Sequence, residues 1–350
     1  MNGPAWERDE LARRFRLFAE RECRDVSPLY ETLAAAIADD PAVLELASKA
    51  RQGQPPPNML LAAVQALLLS DHRDAPLARH YPSVSPEAAA ASEAYPLFRA
   101  FCLNHRAAIE SILARRVVST NEPARAACLL PAFTRAADLL GEPLSLIEIG
   151  ASAGLLLLCD RCAYDYGADR RAGPPESALT LTCEVRGPIP TDFPPAQLPQ
   201  ITARIGLDLF PLNPRDAEDR DWLRALIWPE EQARRERLEK ALALAAQVAP
   251  TVIAADGIAA LPDYADELGG DGPLCVLHAF TLNQVSQAAR AHLEDKLQAI
   301  ARARPLARIG FEWEPEHPAP IVSLTTYRAG SRERREIALA DAHGGWIRFL

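Results

Sequence analysis

The stretch Ser-Leu-Ile-Glu-Ile-Gly-Ala-Ser-Ala-Gly, residues 145–154, decides the fold of this chain. A short apolar run leads to Gly150, small residues continue to Gly154, and a helical pattern follows over 153–164. This order predicts a strand, a tight turn and a helix, the place where an α/β sheet receives a nucleotide-like ligand. Small residues suit the turn because the backbone has to approach the ligand closely.

The spacing of the small residues distinguishes two classes of ligand. A dinucleotide fingerprint needs a small residue at its sixth position, where this chain has Leu155. An acid, Glu148, followed by small residues at every second position instead resembles the acid-x-G-x-G-x-G turn of S-adenosylmethionine-dependent methyltransferases. The residues expected to shape this cofactor turn are Glu148, Gly150, Ala151, Ser152 and Gly154. The alternative is an ordinary buried strand, turn and helix that bind no ligand.

Composition and charge exclude several other classes of protein. The net charge of -9 argues against sequence-independent binding to nucleic acid or to an anionic membrane, since both need cation-rich surfaces. No apolar run reaches the ~18 residues of a membrane span, and no secretory signal is apparent. Seven scattered cysteines fit a reducing compartment better than a disulfide framework. We therefore expect a cytoplasmic protein without nucleic-acid or membrane partners.

The pattern of apolar residues changes near residue 140. Earlier segments have helical periodicity, and later ones alternate short apolar strands with helices. We predict an all-helical N-terminal domain over 1–140 and an α/β domain over 141–350, with a Pro/Gly-rich insertion at about 165–200. The strands expected in the second domain are 144–149, 202–208, 251–255, 274–279, 307–313, 321–327 and 346–350.

Alternating strands and helices imply a mostly parallel sheet that is covered on both faces. Long helical stretches are expected at 216–247 and 284–303, between the predicted strands. The last two strands, 321–327 and 346–350, are expected to pair as an antiparallel hairpin. A parallel sheet that ends in an antiparallel hairpin resembles the methyltransferase arrangement, so the expected fold class is a seven-stranded methyltransferase-type (Rossmann-like) sheet.

Acidic residues at strand ends are the next candidates for cofactor binding. A carboxylate that ends the second strand would accept hydrogen bonds from the ribose hydroxyls. Asp208 ends a strand-like run and is preferred, and Glu184 is the rival. Asp256 and Gly257 repeat the pattern and would lie near the adenine. The alternative reading of Asp256 is a helix N-cap, which needs no ligand.

The fourth predicted strand ends in polar residues, which should face the transferred methyl group. His278, Thr281 and Asn283 could orient an acceptor, and His278 could serve as a general base near neutral pH. The alternatives are that His278 is an interior histidine and that Asn283 caps the following helix.

Two further polar clusters remain open in function. Glu312, Glu314 and His317 could hold a divalent metal, bind the acceptor or form a solvated strand end, and metal binding is the weakest of these readings. Thr120 or Asn121 would cap a helix, while Glu122 and Arg125 of the same run could reach the ligand crevice.

Motifs along nearly the whole chain resemble one family. These motifs are Gln54-Pro-Pro-Pro-Asn58, Thr120-Asn-Glu-x-x-Arg125, Glu148-Ile-Gly-Ala-Ser-Ala-Gly154, Arg204-Ile-Gly-Leu-Asp208, Trp228-Pro-Glu230 and Ala255-Asp-Gly257. Together they are similar to the bacterial family catalogued as domain of unknown function 2332. The resemblance implies a cytoplasmic protein with a methyltransferase-like domain behind a helical N-terminal domain.

The function expected from the sequence is methyl transfer from S-adenosylmethionine to an unidentified small molecule or protein. The alternative is a non-catalytic protein that kept the fold as a nucleoside-ligand sensor or interaction scaffold. A dinucleotide-dependent oxidoreductase comes third, because Leu155 does not fit its fingerprint.

Overall fold

A computed structural model describes residues 6–141, 143–268, 272–328 and 331–350. The chain forms two compact units, and the first combines residues 1–120 with 216–236. The second combines residues 121–215 with 237–350. The domains expected over 1–140 and 141–350 stay a prediction.

Helices make up most of the first unit and also flank the sheet of the second. In chain order they are α1 (Arg8–Phe18), α2 (Pro28–Ile37), α3 (Pro41–Ala47), α4 (Pro56–Leu69), α5 (Ala94–Asn104), α6 (Arg106–Arg115), α7 (Arg125–Leu140), α8 (Ala217–Ala225), α9 (Gln232–Val248), α10 (Gly257–Glu267) and α11 (Gln287–Ile300). Several begin at side chains that accept backbone N–H groups, as at Ser27, Asp40 and Asp216.

Residues 216–236 belong to the first unit because buried polar groups tie them to its helices. The Nε2 of Gln65, on α4, donates to the carbonyl oxygens of Ala225 (2.9 Å) and Ile227 (2.6 Å). The carboxylate of Glu230 accepts from the Ser27 hydroxyl at 2.6 Å and from the Leu29 N–H at 3.0 Å. These bonds satisfy groups that would be costly to bury alone.

Strands account for most of the second unit. In chain order they are β1 (Leu144–Ile149), β2 (Ala163–Asp165), β3 (Arg171–Ala172), β4 (Thr180–Thr182), β5 (Glu184–Val185), β6 (Ile201–Asp208), β7 (Thr251–Ala254), β8 (Leu274–Ala279), β9 (Leu306–Glu312), β10 (Ile321–Arg328), β11 (Ser331–Ala340) and β12 (Trp346–Phe349). The short strands β3, β2 and β4 form a small separate sheet within the predicted insertion.

In the part of the chain that the structure describes, nine strands form the large sheet, in the order β5-β12-β11-β10-β9-β8-β1-β6-β7. The strands from β9 to β7 are parallel, and β10, β11 and β12 follow as an antiparallel meander. The mixed α/β class is confirmed, but the expected number of seven strands is wrong. The sequence pattern missed β11, whose first half is charged, and it predicted one possible strand over 179–185 within the insertion without assigning β5 to the large sheet.

The predicted terminal hairpin is also wrong. Strand β11 lies between the two segments that were expected to pair, and it is antiparallel to both β10 and β12. Five of its first six residues are exposed, so this half has none of the apolar run that marks a buried strand.

The helix expected over 153–164 is replaced by a short 3-10 helix, Leu156–Arg161, and by β2. The guanidinium of Arg204, on β6, donates to the carbonyl oxygen of Leu157 at 2.6 Å and to the carboxylate of Asp160. In an α-helix that carbonyl would accept from the N–H four residues later. Arg204 therefore occupies the Leu157 carbonyl oxygen, which a longer α-helix would need as an acceptor.

The central parallel strands β1 and β8 are buried on both faces. Every residue of β1 is buried, as expected for a central strand of a parallel sheet. Apolar residues of β1, β6, β8 and β9 pack against α10 and α11 on one face of the sheet. Among the described residues, no helix combines the length and the apolar character that a membrane crossing requires.

Close packing between β6 and the turn after β1 makes Gly206 a sensitive position. A Cβ atom on Gly206 would lie 2.6 Å from the Cβ of Ala151. We expect Gly206→Ala to lower the free energy of unfolding by about 1–3 kcal/mol, because the turn would have to move. Gly272→Ala is the matched control, since its Cβ would meet nothing closer than the Pro143 oxygen at 3.8 Å. Equal stability of the two variants in chemical denaturation would contradict this packing argument.

Candidate functional site

The candidate site lies at the carboxyl ends of the parallel strands. The order of these strands reverses between β1 and β8, because the chain passes from β1 to β6 and β7 on one side and then to β8 on the other. Ligands of open α/β sheets bind in the crevice outside such a reversal. Gly150 and Thr281 follow the two strands, and the Thr281 side chain lies where a Cβ of Gly150 would be.

The turn after β1 has an unusual backbone. Gly150, Ser152 and Gly154 have φ values of 77°, 52° and 71°. Positive φ is easy for glycine and uncommon for serine, so Ser152 has to be held in this conformation. The N–H groups of Gly150 and Ala151 donate to the Leu207 carbonyl oxygen at 2.8 and 3.3 Å. These bonds join the turn to β6.

Asp208, the last residue of β6, holds Ser152 in place. Its carboxylate accepts from the Ser152 N–H at 2.7 Å and from the Phe210 N–H at 2.8 Å. The rival acid, Glu184, is exposed in β5 at the far edge of the sheet and pairs with Arg186. Asp208 is therefore the acid beside the turn, and its role towards a ribose stays a prediction.

Glu148 is a buried carboxyl group beneath this turn. Its side chain is almost completely buried, and its Oε2 has no hydrogen-bond partner among the described residues. Burial raises the pKa of Glu148 well above its ordinary value of 4.5, and the nearby Asp208 carboxylate adds to this effect. The positive charge of Arg125 lowers the pKa of Glu148, but it offsets only part of this rise. Glu148 thus keeps a hydrogen-bonding position that none of the described residues fills.

The polar run before α7 reaches the turn, but not as a helix cap. The Oδ1 of Asn121 accepts from the Leu155 N–H at 2.9 Å, whereas α7 begins after Ala124 without a side-chain cap. The capping role expected of Thr120 or Asn121 is therefore wrong. Arg125 lies over the Phe280 ring, with its guanidinium carbon 4.2 Å from the ring centre.

His278 is held in the interior by Glu312. The His278 Nδ1 lies 2.8 Å from the Glu312 Oε1, and the Nε2 is buried without a partner among the described residues. The ring lies against Gly310, where a Cβ would come within 2.8 Å of it. This contact fits the interior-histidine reading, and the predicted role of His278 as a base stays untested.

Glu312 also organises the loop after β8. Its carboxylate accepts from the N–H groups of Thr281 and Leu282, each at 3.0 Å, and of Asn283 at 3.2 Å. Burial alone would raise the pKa of Glu312, but His278 and these backbone donors lower it below 4.5. Glu312 therefore positions the loop that carries two of the three predicted acceptor-side residues.

Asn283 and Asp256 both have structural partners. The Asn283 side chain donates to the Trp313 carbonyl oxygen and accepts from its N–H, while Ser286 caps α11. The alternative that Asn283 caps that helix is wrong. Asp256 caps α10 by accepting from Ile258 and Ala259, with Gly257 at the first helical position. A contact of Asp256 with adenine stays a prediction beside this capping role.

The acidic residues at the end of β9 and after it do not form one cluster. Glu312 faces the interior, whereas ligand atoms of Glu314, His317 and Glu336 lie within 4.8 Å of one another. The Arg334 guanidinium donates to both Glu314 oxygens and to Glu336. A cation is thus already supplied by the chain at this position, which argues against a resident metal ion.

Exposed apolar side chains lie beside Asp208 and were not predicted from the sequence as site residues. Leu209 and Phe210 directly follow it, with exposed fractions of 63% and 40%, and Trp313 follows β9 at 51%. Large apolar residues at the carboxyl edge of a sheet are a usual feature of ligand sites. The signal in the sequence was an apolar pair immediately after a strand-ending acid.

The chain belongs to the family described as "Uncharacterized protein conserved in bacteria (DUF2332)", whose match covers residues 12–349. No curated protein and no solved structure gives a match to the chain.

The buried carboxyl of Glu148 predicts a specific pH dependence of stability. Its pKa in the folded chain is raised above 4.5, so the folded state keeps a proton that the unfolded state has released. The stability that this proton provides is complete below about pH 4.5 and is lost as the pH rises through the raised pKa. Glu148→Gln, a neutral replacement of the same shape, should remove that loss.

We therefore expect Glu148→Gln to become more stable than the wild type as the pH rises, by up to about 1.4 kcal/mol per pH unit over this interval. Urea unfolding at a series of pH values measures the difference. Asp295→Asn, on the exposed side of α11, is the control for loss of one carboxylate. A constant difference between Glu148→Gln and the wild type would show that Glu148 is charged throughout.

Proposed function

We propose that this protein transfers a methyl group from S-adenosylmethionine to an acceptor. The observation that carries the proposal is the buried, unpartnered Oε2 of Glu148 at the strand reversal, beneath a turn of small residues. A buried polar atom without a partner costs about 1–3 kcal/mol, so its retention indicates a ligand that pairs with it.

The order of the parallel strands supports this proposal. Strands β7, β6, β1, β8 and β9 follow the order of the nucleotide-binding α/β folds, with the reversal beside β1. A methyltransferase-type core is consistent with these five strands. The antiparallel meander of β10 to β12 is an addition to that core.

Residues at the carboxyl edge fit the parts of S-adenosylmethionine. Asp208 has acceptor positions for ribose hydroxyls beyond its two backbone bonds, and Phe210 and Leu209 offer an apolar surface for adenine. Glu148 would accept from the ammonium group. Bound S-adenosylmethionine would supply an electrophilic methyl group. A lone pair of the acceptor would form the new bond to the methyl carbon, and the electron pair of the broken carbon–sulfur bond would stay on sulfur.

The contribution of the chain would be proximity and orientation. Glu312 fixes the loop of Thr281 and Asn283 beside the strand reversal, and it orients His278 through Nδ1. These three residues stay the predicted acceptor-side group, with Glu312 as their positioning residue.

A non-catalytic nucleoside sensor or scaffold is the second candidate. The specific observation in its favour is that N–H groups of the turn already have acceptors within the chain. The N–H groups that donate in this way are those of Gly150, Ala151, Ser152, Gly154 and Leu155. A short 3-10 helix also replaces the long helix that usually follows such a turn.

Calorimetry with S-adenosylhomocysteine and S-adenosylmethionine tests the proposal, with NAD as the control ligand. We expect saturable micromolar binding of both adenosyl compounds and at least about tenfold weaker binding by Asp208→Asn, because a charged hydrogen-bond acceptor is worth about 1.5–3 kcal/mol. Asp295→Asn should bind like the wild type. Absence of binding at millimolar ligand would contradict the proposal, and preferential binding of NAD would favour an oxidoreductase.

The proposed contact between Glu148 and an ammonium group predicts a second measurable effect. Because only the ionised carboxylate attracts the cation, affinity for S-adenosylhomocysteine should increase as the pH rises through the raised pKa of Glu148. Glu148→Gln should bind more weakly and lose this dependence. Titrations between about pH 5 and about pH 7 would reveal it, since the ligand ammonium stays charged there. A pH-independent wild type would contradict the contact.

A further inference from the structure

A cleft of about 700 Å³ lies within the second unit, away from the glycine turn. The β2–β3 connection, the residues around β5, the turn before β12 and Arg237 of α9 line it, and residues 148–154 and Asp208 do not. Its volume is within the range of small-molecule sites, about 300–1,000 Å³. The ring of Tyr166 contributes an aromatic wall, held by a bond from its hydroxyl to the Ala127 carbonyl oxygen at 2.8 Å.

The charges of the lining residues leave one cation without a partner. Asp165 and Glu184 line the cleft, but each is paired with an arginine outside it, Arg171 and Arg186 respectively. The remaining lining cations are Arg170 and Arg237.

Arg237 is already neutralised by Glu122, at 2.8 Å from its Nε. The Arg170 side chain, half-buried, has no hydrogen bond or ion pair to any residue that the structure describes. The cleft therefore carries an unpaired positive charge on a wall that is partly shielded from water.

We infer that this cleft binds a small anionic molecule, with a carboxylate or phosphate group on the Arg170 guanidinium. Arginine binds two oxygens of a carboxylate or of a phosphate through two parallel N–H donors. Arg237, which is paired with the buried Glu122, also lines the cleft. Ala168 and Asp169, beside Arg170, both have positive φ, a strained conformation that clusters at ligand sites.

The run before α7 connects this cleft to the glycine turn. Asn121 accepts from the Leu155 N–H of the turn, and Ala124 lines the cleft. Arg125 donates to the Ala342 carbonyl oxygen, next to the lining residues of the turn before β12. Binding of an anion in the cleft does not depend on the proposed function.

Calorimetry of the full chain with inorganic phosphate and with succinate tests the inference, and the uncharged diamide succinamide is the ligand control. We expect saturable binding of at least one anion, with no binding of succinamide. Arg170→Gln should weaken it at least about tenfold, as for loss of a charge-assisted pair. Arg302→Gln, at an exposed arginine that is not among the lining residues, should retain the affinity of the wild type. The stronger of the two anions identifies the chemical class.

Two results would overturn the inference: no saturable binding of either anion, or equal loss of binding in Arg170→Gln and Arg302→Gln. Titration of Arg170→Gln with S-adenosylhomocysteine separates this inference from the proposed function, because Arg170 is outside the residues assigned to that ligand. Anion binding without S-adenosylhomocysteine binding would leave the cleft as a ligand site and reject methyl transfer. The reverse result would reject the cleft alone.

Discussion

The hydrogen bonds between the Asp208 carboxylate and the turn after β1 are the constraint on which the second unit depends. They hold Ser152 at a positive φ that serine would otherwise seldom adopt. Gly206 allows the turn to lie directly against β6. With the turn fixed, the Leu155 N–H donates to the Asn121 side chain. This bond positions the polar segment before α7. The anchored turn thus shapes the candidate site, and through Asn121 it contacts the segment that leads to Ala124 of the cleft.

Much of the sheet could be predicted from the sequence because central strands carry a continuous apolar run. Strand β1 was expected at 144–149 and was found there, and β8 was expected at 274–279. Strand β11 could not be found in this way, since its first half is charged and stays exposed. The local pattern also could not report that Arg204, far along the chain, would take the carbonyl of Leu157. Tertiary contacts decided both of these segments.

The position of the candidate site could be predicted from the sequence, but the directions of its side chains could not. Carboxyl ends of parallel strands meet at one edge, so Glu148, Asp208 and Asp256 could be grouped from sequence alone. The direction of each side chain depends on neighbours that only the fold brings together. Glu312 was grouped with Glu314 and His317 from the sequence, but its carboxylate accepts from backbone N–H groups of the loop after β8.

The pairing of β5 with β12 affects how the sheet could assemble and how its edge is protected. Two residues from the insertion form the edge of the large sheet, beside a strand that comes much later in the chain. Closure of this edge is a long-range event, which is slow relative to the local pairing of the meander. A two-residue edge also offers few unpaired backbone groups to another chain, so it limits edge-to-edge aggregation once folding is complete.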